Sequence, residues 1–522
     1  MIREISRRKC LRLWLCKPEY MERTKWENRF VLLRFWKKND MMFLKDLKRF
    51  KMERLYDKLK AYSESDFYAF HMPGHKRNKT LLGIELPYDL DITEIDGFDD
   101  LHHADGILKE EQERAARVFG AEESHFLVNG STAGILSAVM GCTHRGDKIL
   151  VARHCHKSIY HAIYMNGLVP RYVYPEFDIS MHMNGEISKE DVAKALAAEP
   201  DIKAVVIVSP NYDGVVSDVK GIAEVAHSYR IPLIVDEAHG PHFGFHPAFP
   251  GRANDLGADV VINSLHKTLP SLTQTAILHI NGKLANRRRI KKYLDMLQSS
   301  SPSYIFMASL DACVDFVDGK CEEAFELYVE RLQKFREELK PLQHLQILRT
   351  EHYDISKVVI STANANITSP ELADRLRKEY HLEMEMTGGT YVLAMTTVAD
   401  TQEGLDRLKS ALLEIDDQLE AKTAVSGSIE ISGELPRLEQ YFTPQEAAER
   451  EEDGEAEEIP WKESEGHISL EYAYLYPPGS PVIVPGERIS REAVELLCYY
   501  ETQNLQIEGI QTEGKIKVWK HE

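Results

Sequence analysis

The sequence predicts an α/β fold, a mostly parallel sheet with helices on both faces, followed by a smaller C-terminal α+β domain. Three observations carry that prediction. Between residues 125 and 280, short apolar runs alternate with stretches of helical period, the rhythm of strand–helix–strand units. The runs Lys203–Ser209, Pro232–Glu237 and Asp259–Asn263 are apolar almost without alternation, as parallel strands buried on both faces must be. Polar clusters stand where these runs end, and open α/β sheets bind ligands at the carboxyl ends of their strands.

The chain has 522 residues, enough for two or three domains, and its 43% hydrophobic content is ordinary for a globular protein. A net charge of −19 leaves no basic excess to displace counterions from phosphates, so no nucleic-acid partner is expected. No apolar run approaches the ~20 residues that span a bilayer, and no membrane partner is expected either. Seven scattered cysteines without a CxxC pair form neither a zinc site nor a disulfide framework, and point to the cytoplasm. Residues 1–41 stand apart. Rich in Lys and Arg, with Trp14, Trp26, Phe30 and Trp36 interspersed, they are expected to be a disordered basic extension or the product of an early start site.

Residues 42–120 are expected to hold a helix from Asp46 to about Tyr62, the polar loop His71-Met72-Pro73-Gly74-His75-Lys76, the acidic loop Asp91–His102 and a helix over Lys109–Phe119. The large domain is expected over 121–345. Strand His125–Asn129 runs into Gly130-Ser131-Thr132, which opens a helix reaching about Met140. Small and hydroxyl residues there suit a phosphate cup or a simple helix cap. Strand Lys148–Ala152 ends at Arg153-His154-Cys155-His156-Lys157-Ser158, a second polar cluster. Strand Val169–Tyr174 precedes a helix from Ser188 to about Ala198, opened by capping-box spacing. Helix Ser217–Tyr229 separates the next two strands. Thr275–Ile280 is the last apolar run, and three or four helices fill Lys283–Leu339.

The rhythm then changes. A small α+β domain is expected over 346–423, with strands Ile355–Thr362 and Tyr391–Thr396 and helices Ser369–Tyr380 and Thr401–Leu419. A linker, 424–442, leads to a C-terminal segment, 443–522. Thr443-Pro444-Gln445-Glu446 reads as a helix start, the acidic run through Glu458 as a solvated helix end or loop, and a last helix begins near Ser490.

Two strand ends carry the chemistry. Asp236-Glu237-Ala238-His239-Gly240 follows one buried run, and Ser264-Leu265-His266-Lys267-Thr268 follows the next. A lysine and an aspartate delivered this way suit pyridoxal phosphate (PLP): the amine forms a Schiff base with the aldehyde, and the carboxylate faces the ring nitrogen.

With these segments in register, the chain resembles the Orn/Lys/Arg decarboxylases, fold-type I PLP enzymes, in their short bacterial form. The matching pieces are Met72-Pro73-Gly74-His75-Lys76, Asp91-Ile92-Thr93-Glu94 with Asp99-Asp100-Leu101-His102, Asn129-Gly130-Ser131-Thr132, and His154-Cys155-His156-Lys157-Ser158. The aspartate and lysine motifs follow, then Tyr476-Pro477-Pro478-Gly479 with Pro485-Gly486-Glu487. The likeness runs from about residue 43 to 510. Ser480 departs from it, standing where the family more often has isoleucine.

The resemblance implies a role for each position. Lys267 binds PLP, Asp236 pairs with its ring nitrogen, and Ala238 and His156 pack on the two ring faces. Ser131, Thr132, Ser264 and His266 hold the phosphate, and Gly130 lets the backbone approach it. His239, in the aspartate motif, joins the cofactor set. Glu487 borders the substrate; with one of Asp99 or Asp100 it is a candidate acidic pocket for a distal guanidinium or ammonium, and His75 is a further substrate-site candidate. No metal is implied. The activity implied is decarboxylation of a basic amino acid, L-arginine to agmatine first, then lysine to cadaverine or ornithine to putrescine. An aminotransferase or another PLP lyase would share the same core, a silent regulator would lose the Schiff base, and a membrane-associated binding protein would rest on the basic amino terminus. Because this fold commonly seats its cofactor between subunits, a homodimer or larger homo-oligomer is expected.

Overall fold

The computed structural model describes residues 54–80, 82–179, 183–421, 434–475, 479–502 and 505–520. The extension 1–41, Tyr476-Pro477-Pro478 and much of the linker lie outside them. The chain divides into Met1–Arg54 and Leu55–Glu522.

In the second unit, α1 (Leu55–Ser63) and α2 (Ile107–Val118) precede a seven-stranded sheet. Its strands are β1 (Glu123–Leu127), β2 (Lys148–Ala152), β3 (Val169–Val173), β4 (Val205–Val208), β5 (Leu233–Asp236), β6 (Val260–Asn263) and β7 (Ala276–Ile280). They lie in the order β1-β7-β6-β5-β4-β2-β3. Pairings from β3 through β6 are parallel, whereas β7 runs antiparallel to both β1 and β6. Every residue of β4, β5, β6 and β7 is buried, so these strands show no alternation in sequence.

Helices cover both faces. Leu127 and Leu278 join one core, beneath α3 (Gly130–Cys142), α4 (Lys157–Met165), α5 (Lys189–Ala198), α6 (Val219–Ser228) and α8 (Arg287–Leu297). Phe126 and Ile277, one residue earlier on the same strands, join the other, with α1, α2, α9 (Tyr304–Val317) and α10 (Glu322–Glu338). The four-residue α7 (Leu265–Thr268) caps the end of β6. Close packing of α3 on α8 depends on Gly141, where a Cβ would lie 2.8 Å from the Cα of Ile290.

A four-stranded antiparallel sheet follows, in the order β8 (Gln346–Leu348), β9 (Lys357–Ser361), β11 (Tyr391–Met395), β10 (Met386–Thr387). Helices α11 (Ser369–Tyr380) and α12 (Gln402–Asp416) bury its apolar face, and the Thr368–Glu371 capping box fixes the start of α11. The expected helix start at Thr443 opens α13 (Pro444–Glu452) with a complete capping box. The acidic run differs from expectation. Ala456–Pro460 is a strand, β12, paired with β13 (Lys515–Trp519), because the far end of the chain supplies its hydrogen-bond partners. Helix α14 (Arg491–Thr502) then packs in the C-terminal core.

Candidate active site

Asp236 is the last residue of β5, and Lys267 lies in α7, just past β6. Because β5 and β6 are parallel neighbours, both side chains arrive at the same carboxyl edge. There they line a cavity of about 230 Å³ together with Gly130, Ser131, Thr132, His156, Ala238, His239 and His266. Thus nine of the sequence-nominated positions converge, and Ser264 stands two residues before His266.

Asp236 is 2% exposed. Burial raises its carboxyl, while nearby Lys267 and the Ala238 N–H (3.1 Å) act in the opposite direction. Burial lowers Lys267, against the pull of Asp236 and Glu385. The Lys267 amine stands 2.8 Å from His239 Nε2. His239 is buried, and burial reinforced by Lys267 and Lys357 holds it well below its ordinary value, so its ring is neutral.

His156 caps α4. Its Nδ1 accepts the Ser158 N–H (3.2 Å) and lies 2.8 Å from Ser158 Oγ. Burial, then Lys267, pushes it down to about 4. A neutral ring accepting at Nδ1 carries its proton on Nε2.

The floor under Gly130-Ser131-Thr132 is built for an anion. Helix α3 has no side-chain cap: Asn129 Oδ1 is taken by the Ser299 N–H at 3.2 Å, leaving first-turn N–H groups unclaimed by it. Gly130 sits at φ +74°, a backbone shape that side chains resist. Ser264 Oγ is buried without a partner, and His266 Nδ1 is fixed by Thr275 O at 2.9 Å. An uncapped helix end and an orphaned buried hydroxyl two residues before His266 each suit a phosphate.

The acids nominated for the substrate go elsewhere within the chain. Glu487 is fully buried, 2.9 Å from Arg153 Nη2, and accepts the Val484 N–H at 2.8 Å. A buried guanidinium needs a counter-ion, and Glu487 is that ion. Asp99 accepts backbone N–H groups from Asp100, Asp105, Gly106 and Leu108, all at 2.9–3.0 Å. Asp100 accepts the His102 N–H at 2.9 Å and contacts His103 Nδ1 at 3.2 Å. His75 stacks on Tyr88 with centroids 4.3 Å apart and lies 3.3 Å from Asp91. None of the four lines the cavity.

Three further polar residues that the sequence did not assign to the cofactor line the cavity. His154 lines it with an unpartnered buried Nδ1, and burial lowers the ring to about 4. Tyr212 also lines it, with its ring 4.6 Å from His239 and its hydroxyl donating to Glu385. Ser480 lines it too and donates to His154 O at 2.8 Å, so the departure from the family pattern falls in the cavity wall. His154 and Ser480 belonged to motifs already noticed; Tyr212 had no local signal.

A seven-stranded sheet with one reversed strand, a lysine and a buried carboxylate at adjacent strand ends, and an uncapped helix beside them define an enzyme of the fold-type I class. Residues 53–371 match the Orn/Lys/Arg decarboxylase major domain, and residues 433–514 match the Orn/Lys/Arg decarboxylase C-terminal domain. The chain belongs to the Orn/Lys/Arg decarboxylase family. It is 33% identical over 471 residues to the arginine decarboxylase of Bacillus subtilis (strain 168), covering 87% of this chain and 95% of that one. It is 25% identical over 552 residues to the lysine decarboxylase LdcA of Pseudomonas aeruginosa, covering 83% and 73%. The fold matches the constitutive lysine decarboxylase of E. coli with a TM-score of 0.77 at 22% identity, over 89% of this chain and 82% of that one.

Proposed function

We propose that the protein is a PLP-dependent decarboxylase of a basic amino acid, L-arginine to agmatine and CO₂ in the first instance. The observation that carries this is the meeting of the Lys267 amine and the buried Asp236 carboxylate in one cavity, from adjacent strand ends. When bound, PLP supplies an electron sink that lets the bond from Cα to the carboxylate break as CO₂ leaves. The chain does the rest. Lys267 supplies the amine for the aldehyde, Asp236 holds a proton on the ring nitrogen, and Ala238 and His156 confine the ring. The α3 terminus with Ser131, Thr132, Ser264 and His266 holds the phosphate. His156, with its proton on Nε2, and Lys267 are the groups at hand to return a proton to Cα.

Arginine leads because four relatives at 32–33% identity are named arginine decarboxylases, while those named lysine decarboxylases stand at 23–25%. The test is purified protein with PLP offered arginine, lysine and ornithine, with CO₂ and amine measured. Keto-acid in place of CO₂ would refute decarboxylation, and faster turnover of lysine or ornithine would refute the order of substrates.

The working unit in this reading is a homodimer. Phe67, Tyr68, Phe70 and Met72, with Leu82, Ile84 and Leu86, expose apolar side chains along one stretch of sequence, which packing against a second copy would take out of water. Its place in this reading is the cytoplasm. The described cysteines are free, and among the described residues no helix is long and apolar enough to cross a membrane.

A further inference from the structure

Strand β9 reads Lys357-Val358-Val359-Ile360-Ser361, and all five residues are buried. Alternation sends Val358 and Ile360 into the core under α11 and α12, so Lys357 and Val359 face the other way. The stem of Lys357 crosses Gly214, at φ +104°, where a Cβ would lie 2.7 Å from Lys357 Cγ. The turn after β4 admits this lysine only because it carries no side chain at that point. Lys357 Nζ then ends 2.9 Å from His239 Nδ1. The other nitrogen of the same ring, Nε2, is 2.8 Å from Lys267 Nζ. One imidazole bridges two lysines, Lys357 buried and Lys267 half-buried.

Counting donors decides what this bridge permits. A neutral imidazole has one donor and one acceptor nitrogen, and an ammonium only donates. Two ammonium groups would need two acceptors, and a protonated ring would face the lysines with two donors. With both contacts made by a neutral ring, at most one lysine is an ammonium, and it must sit on the acceptor nitrogen. Lys357 has the stronger claim to the charge. Asp354 and Asp213 are buried near it, the first held by His242 (3.1 Å) and Ser356 Oγ (2.7 Å), the second by Tyr391 (2.6 Å). Lys267 has one buried carboxylate, Asp236, which the proposed function assigns to the cofactor ring. Exposed Glu385 acts on both lysines, and His156, His266 and the Tyr212 phenol are the other titratable rings around His239.

We infer that Lys357 is a positioning residue: its ammonium donates to His239 Nδ1, which turns Nε2–H toward Lys267 and keeps the Lys267 amine unprotonated and ready for an aldehyde. Burial, partly offset by Asp354, lowers Lys357 to about 8, and burial lowers Lys267 as well. The inference rests on the proposed function for the use of the amine, not for the state of the ring.

Two measurements test it. In cofactor-free wild-type protein at pH 7.5, ¹⁵N-histidine NMR, with His239 assigned by difference from His239→Gln, is expected to show the proton on Nε2; a proton on Nδ1 overturns the inference. In Lys357→Met, the rate at which the apoprotein captures PLP, followed by absorbance, is expected to fall about tenfold at pH 7.5 and to recover as pH rises by one to two units. A wild-type rate at every pH, or a loss that pH does not repair, overturns it. If the variant does not fold, the wild-type ring decides. Wild-type apoprotein that captures no PLP at any pH refutes the proposed function, while the ring state is still read without cofactor.

Discussion

Replacing Asp236 by Asn separates charge from shape at the floor of the cavity. The carboxylate is 2% exposed, and burial raises its carboxyl even with Lys267 nearby. The folded chain therefore carries this anion at a cost that a cation must offset. For unit charges ~3 Å apart at an effective dielectric of ~20, the attraction is roughly 5.5 kcal/mol. If the protonated ring nitrogen of PLP is that cation, losing half the attraction raises the barrier by about 2.7 kcal/mol, a hundredfold in rate. Asn keeps an oxygen to accept the Ala238 N–H, so the local turn survives. Asp236→Asn is expected to lower kcat for CO₂ release at least about a hundredfold. It should still bind PLP, and its apoprotein should melt at or above the wild-type temperature because a desolvated charge is gone. Activity within threefold of wild type would refute the role. A large fall in the apoprotein Tm would refute the claim that the carboxylate is unfavourable without its partner.

Glu487→Gln strands the buried Arg153 charge and should cost about 3–5 kcal/mol in denaturant unfolding with KM unchanged; a raised KM at unchanged stability would return Glu487 to the substrate. Asp99→Ala removes four backbone hydrogen bonds and should cost ~2–3 kcal/mol at neutral pH. Burial works against the Asp99 carboxylate, but those bonds leave its pKa lowered, so its contribution is complete above the ordinary 3.8 and fades as pH falls through the folded value. Wild-type and variant stabilities should then converge below 3.8, and parallel curves across that range would refute it. Ser264→Ala should weaken PLP binding by the apoprotein about tenfold, one charge-assisted hydrogen bond; an unchanged Kd would remove Ser264 from the phosphate. The double change Phe67→Ser with Phe70→Ser should shift sedimentation from dimer to monomer, and an unaltered dimer would place the interface elsewhere.

What could be read from the chain, and what could not, follows from how far apart the interacting residues stand. Strands β4, β5 and β6 are legible because burial on both faces strips them of polar residues, and Asp236 and Lys267 because a strand end is a local feature. The reversal of β7 leaves no such mark: Ala276–Ile280 is equally apolar in either direction. The Glu457-Glu458 pair reads as loop until Lys515–Trp519 supplies the partner strand, and edge strands tolerate such charges. Glu487 and Asp99 were visible as acids in motifs, but their use is set by Arg153, 334 positions away, and by a ring of backbone N–H groups. Lys357 is the extreme case. In sequence it is the polar first residue of an apolar strand, and only the Gly214 turn and the His239 ring turn it toward Lys267. Residues that hold a cofactor at strand ends are thus written locally, while those that tune its lysine are written in the packing of one sheet against another. The protonation of Lys267 is therefore a property of the assembled interface between the two sheets, and substitutions on β9 should alter it without touching either cofactor motif.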